Sequence, residues 1–98
     1  MTVPGEPEVA GRLQRALEAF QKAQTMLLTA HRKLKGQPAA EVDRFWMAQG
    51  RWIEQHLHAT ASEAVAAFRA FSAAGLVASA ADRHLVNEAQ RLLAEGGR

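Results

Sequence analysis

The stretch Val9 to Pro38, VAGRLQRALEAFQKAQTMLLTAHRKLKGQP, decides the fold. Within it Val9, Leu13, Ala16, Phe20, Ala23, Leu27, Ala30 and Leu34 succeed one another at alternating steps of four and three. That is the heptad spacing of a helix packed along one stripe against another helix. Large side chains (Leu13, Phe20, Leu27, Leu34) hold one position of the repeat and small ones hold most of the other, so a partner helix can come close at the alanines. Gly36 stops the helix, and Arg32, Lys33 and Lys35 in its last turn oppose the negative end of the helix dipole. Pro38 fits the first position of a second helix, where its missing amide has no intrahelical partner to lose. A connection as short as Lys35 to Pro38 makes the two helices an antiparallel hairpin.

Folding the chain about Gln37 pairs Ala23 with Gly50, Phe20 with Ile53, Ala16 with Leu57 and Leu27 with Trp46. The expected seam is therefore Leu13, Phe20, Ala23 and Leu27 against Trp46, Gly50, Ile53 and Leu57. Gly50 is placed for close approach to Ala23 or for a kink, since glycine inside a helix costs roughly 1 kcal/mol against alanine. Nothing from Ala39 to Ala74 compels a break, and a helix over 38–74 could approach about 55 Å. Thr60-Ala-Ser-Glu63 matches a capping box that offers a new start there, so a break at Gly50 or at Thr60 stays open. Gly75 ends the segment. Ser79, with Asp82 three residues on, caps a third helix over 79–94 with the apolar face Leu85, Val86, Ala89, Leu92 and Leu93.

Composition agrees. The chain has 98 residues, 48% of them hydrophobic and 22% charged, with three Pro, no Tyr and no Cys, which suits one alanine-rich all-α domain. We expect a flexible lead-in at 1–8, a helical domain at 9–95 and a flexible tail at 96–98. No cysteine means no disulfide framework and no thiolate chemistry. No run of about 18 apolar residues suggests a membrane span, and Met1 to Gly11 lacks a secretion signal, so the reading favours the cytoplasm. The formal charge of +2 is spread along the chain, which argues against nucleic acid as a partner. The basic run His31 to Lys35 is better explained as a dipole complement than as a phosphate site.

The segment Arg44 to His58, RFWMAQGRWIEQHLH, gathers most of the chemistry. His56 and His58 point about 200° apart on a helix and cannot share one ion. Glu54 with His58 and His84 with Glu88 have i, i+4 spacing, which reads as solvated surface pairing. The Glu-x-x-His of di-iron bundles is absent, because the residues three after Glu41, Glu54, Glu63 and Glu88 are Arg44, Leu57, Ala66 and Arg91. Ser62 and Ser72 fall within helix and no phosphate loop occurs, so no catalytic, cofactor or metal residue is expected. Geometry leaves an excess instead. The register puts Val9 near Ala64, so Val65 to Ala74, with Phe68 and Phe71, overhangs the first helix and is covered by the third. Phe45 and Trp52, seven residues apart on a flank beside the seam, are expected to lie beyond the third helix's reach. An uncovered apolar flank of Phe45, Trp52 and His56 marks an interaction surface.

The segment PAAEVDRFWMAQGRWIEQHLHATASEAVAAFRAFSAAG, Pro38 to Gly75, resembles the central part of phasins, small helical proteins that coat polyhydroxyalkanoate granules. In that family an acidic helix start is followed by an aromatic or Leu, then Gln, then another aromatic, and later an alanine-rich helical run. Val42, Phe45, Gln49, Trp52 and the run Ala59 to Ala74 take those places, and LQRALEAFQKAQTMLLTAHRKL, Leu13 to Leu34, is similar in kind to the family's first helix. The resemblance implies a non-enzymatic amphiphile that oligomerises and lays an apolar face on a polymer surface through Phe45, Trp52 and Phe68, with Arg44, Arg51 and Arg69 on neighbouring polar positions. The regular heptad and the capped third helix are departures from the family's pattern. The expectation is thus an all-α antiparallel hairpin with a long second helix and a shorter third packing back, bundle or coiled-coil-like and completed as a homo-oligomer. A granule coat is its leading function, and an adaptor or chaperone that sequesters a partner helix beside Trp52 is the alternative.

Overall fold

The computed structural model describes residues 5–96, all of whose regular structure is helical. Helix α1 spans Glu6–Leu34 and α2 spans Ala39–Phe45. A π-helical turn at Trp46–Gly50 leads without a break into α3, Arg51–Ala73, and α4 is Ala80–Gly96. Phe45, Trp46, Gly50 and Arg51 all keep right-handed helical angles, so α2, the π turn and α3 form one continuous rod. The molecule measures 59 × 24 × 20 Å, and its radius of gyration of 16.4 Å exceeds the roughly 13 Å of a compact chain this size. It is an elongated all-α bundle: α1 and α3 form the hairpin, and α4 packs on both.

Several boundaries differ from those expected. Helix α1 opens at Glu6, so residues 6–8 belong to it and not to a flexible lead-in. Pro7 sits in the first turn, where it loses no intrahelical bond, and Glu6 and Glu8 favour the positive end of the dipole. Gly5 is the extended residue that precedes α1, residues 1–4 of the expected lead-in lie outside the described residues, and of the expected tail Gly96 belongs to α4 while 97 and 98 lie outside the described residues. Pro38 is the residue before the second helix and not its first. Thr60 starts no helix: α3 runs through it, and its hydroxyl turns back along the helix, 2.9 Å from the Leu57 carbonyl oxygen and 3.0 Å from that of His56, as in a continuing helix.

Both hairpin ends use glycine in the left-handed region. Lys35 (φ −62°, ψ 123°) and Gly36 (φ 85°) build a type II turn, closed by the Gln37 amide donating to the Leu34 carbonyl at 3.0 Å. Gly75 (φ 83°) ends α3 in a Schellman motif: its amide donates to Ser72 O and that of Leu76 donates to Phe71 O. At α4 the expected cap is present, the Asp82 amide donating to Ser79 Oγ at 3.1 Å. Ser79→Ala should lower stability by about 1 kcal/mol, read as a drop in the urea midpoint at constant slope.

The core sits where three helices overlap. Leu13, Leu17, Phe20 and Ala23 of α1 meet Leu57, Ala61, Ala64, Val65 and Phe71 of α3, and Val86 and Ala89 of α4 close the cluster. No polar side chain is buried among the described residues, so apolar packing alone holds this contact. Across the exposed side Arg12 Nε donates to Glu63 Oε1 at 2.8 Å, which holds the Glu63 carboxyl below its ordinary range. The link falls where a hairpin turning at Gln37 sets those residues side by side.

Candidate interaction surface

Two grooves flank the part of the hairpin nearest its tip. On one side α4 reaches further than its length suggests, and Leu92 and Glu95 border a groove with Leu27, Trp46 and Leu57. The reason is the non-helical connection Leu76–Ser79. Each extended residue spans up to about 3.3 Å against about 1.5 Å in a helix, and Ala78 is buried in the core, so the connection carries the start of α4 toward the tip. On the other side Phe45, Trp52 and Ile53 with Met26 and Ala30 form an apolar trough that no described residue of α4 lines. Phe45 and Trp52 therefore stay uncovered because they face away from α4, and shortness of the third helix is not the cause.

The π turn sets the directions of the aromatic side chains. A π turn takes in one residue more than an α turn and so rotates the helix beyond it. The Trp46 indole lies edge-on to Phe45, with ring centroids 5.2 Å apart, and tilted against His31 at the same separation. It also lies against Gly50: a Cβ built there would come within 2.8 Å of Trp46 Cε3, and the three nearest heavy atoms all belong to Trp46. The missing side chain makes room for an indole one turn back in its own helix. Trp46 shares a groove with Leu27 as the register requires, but the ring it meets, His31, lies one turn nearer the tip.

Of the expected seam, Leu13, Phe20, Ala23, Gly50, Ile53 and Leu57 are buried and Leu27 and Trp46 half-buried. Of the expected surface residues, Phe45 is half-buried in the trough and Trp52 is 57% exposed at its edge. His56 stacks on Trp52 at 5.3 Å and 4° between planes, so it shields one face of the indole. Phe68 is not brought to this site. It packs against the core cluster, about four and a half turns (about 24 Å) further along the helix and about 160° round it.

The trough's other wall was not foreseen. Lys22, Met26, Thr29 and Lys33 line it from α1 at steps of four, three and four, immediately beside the seam residues Ala23, Leu27, Ala30 and Leu34. That spacing was available as a signal, but it becomes a wall only once the rotation of Phe45 and Trp52 is known. Further apolar side chains near the tip stand outside the trough: Leu28 is 57% exposed and Met47 87%.

The remaining titratable groups do not converge. His84 Nε2 lies 2.9 Å from Glu88 Oε1, and Glu88 Oε2 accepts from Gln24 at 2.8 Å, which ties α4 to α1. Glu54, His31 and His58 border the groove on the Trp46 side. Among the described residues no three His, Asp or Glu side chains are placed to share a metal ion. No helix among them is long and apolar enough to cross a membrane. The chain matches no family model, no curated protein and no solved structure.

Proposed function

We propose that the protein is a non-enzymatic helical binding protein whose working surface is the Phe45–Trp52 flank of its hairpin. The observation that carries this is the trough itself, an apolar channel between two helices with Trp52 57% exposed at its edge and no described residue of α4 over it. A large aromatic left in water beside a half-buried one has no role in the core, whose cluster lies further down the hairpin. Its channel shape favours the adaptor reading, in which a partner helix lies between α1 and the rod. The phasin-like coat, with self-association, is the second reading. It is favoured by Leu28 and Met47, which a helix in the trough would leave wet and which a polymer surface or another copy would cover.

Two measurements test the surface. In the coat reading polyhydroxybutyrate particles deplete the wild type and leave the Phe45→Ser, Trp52→Ser double mutant in solution, and equal depletion removes both residues from the mechanism. In the same coat reading, light scattering after size exclusion gives a mass above the 10.7 kDa chain, and a strictly monomeric protein at tens of micromolar ends the self-association reading.

A further inference from the structure

We infer that the occupant of the trough is an amphipathic helix of another protein whose apolar face is flanked by carboxylates. The inference deepens the proposed function and rests on the Phe45–Trp52 flank being the working surface. Shape comes first. The trough runs between α1 and the α2–α3 rod on the side opposite α4, and it is where a further helix would complete the bundle, its ridge entering the groove as α4 does behind. Met26, Ala30, Phe45, Trp52 and Ile53 offer that helix an apolar floor.

Charge then selects the helix. Lys22 and Lys33 border the trough from α1, eleven residues apart, which is about three turns and about 16 Å. Both are exposed, neither is in an ion pair among the described residues, and no carboxylate lines the trough. Its polar remainder, Thr25, Thr29 and Gln49, is uncharged. A helix with carboxylates about three turns apart on the edge facing α1 meets both ammonium groups while its apolar side meets the aromatics. A second copy fits poorly, because a two-fold axis through the middle of the trough sets Lys22 of one chain against Lys33 of the other. A neutral polymer would cover the lysines and bring them no counter-charge.

The probe is a fluorescein-labelled amphipathic peptide of about five turns, with a Leu/Ala stripe flanked by Glu, compared by anisotropy with its counterpart flanked by Lys. At low salt the Glu peptide should bind at least about tenfold tighter, and the difference should collapse near about 0.5 M NaCl. Lys22→Glu with Lys33→Glu, at exposed positions that leave the core untouched, should invert the preference. Equal affinity for the two peptides overturns the inference, as does failure of both to bind while polyhydroxybutyrate particles deplete the protein, an outcome that leaves the flank as the working surface. Peptide binding unchanged by Phe45→Ser, Trp52→Ser overturns the inference and the adaptor reading together.

Discussion

Replacing Phe20 with alanine should lower the stability of the fold by about 3–5 kcal/mol. Phe20 is 1% exposed and one of the two largest side chains with almost no contact with water. It stands where α1 meets both other helices, beside Leu57 of α3 and Leu92 of α4. No polar group is buried nearby to hold the helices in register, so the cavity would have to be closed by sliding them. The Arg12–Glu63 and Gln24–Glu88 bonds, placed below and above it, oppose such sliding. In a domain of this size each kcal/mol shifts the midpoint by roughly 4–8 °C, so the variant should melt at least about 12 °C lower. Urea unfolding followed by circular dichroism checks this, and a loss below about 1 kcal/mol would show that the three-helix core is not organised around Phe20.

The elements that depend on local chemistry were legible in the sequence. The heptad from Val9 to Leu34, the stops at Gly36 and Gly75 and the Ser79 cap each arise from the residues that make them. The features that went unread depend on competition between local and distant effects. Thr60-Ala-Ser-Glu63 has the residues of a capping box, but Leu57, Ala61, Ala64 and Val65 lie on one stripe buried in the core, and keeping that stripe continuous outweighs one cap. The π turn belongs to the same class. Bulky Trp46 and the side-chain-free Gly50 are both visible, yet the insertion arises from fitting the indole over the glycine, a contact that periodicity does not encode. The site was half legible for that reason. Phe45, Trp52 and His56 stand out by type and spacing, whereas the α1 wall needed the helix rotations.

Ala64→Leu should be the second severe substitution, at about 1–3 kcal/mol. Ala61, Ala64 and Ala67 of α3 and Ala89 of α4 have no measurable exposure, so the helices approach to the limit their methyl groups allow. A leucine at position 64 adds three carbons where no space remains, and either it adopts a strained rotamer or the helices part. Ala66→Leu, two residues on and exposed, is the control: alanine and leucine differ little in helix propensity, so it should change stability by no more than about 0.5 kcal/mol. Equal losses at the two positions would mean that close approach is not what the alanines are for. A folded but loosened Ala64→Leu protein would carry a second consequence. The trough's two walls belong to α1 and to the rod that includes α3, so parting those helices near Ala64 changes their separation at Met26 and Trp52. Binding at the flank should then weaken in a variant whose altered residue lies about 18 Å from Trp52 along the same helix, because the spacing of one closely packed pair of helices serves both the core and the surface.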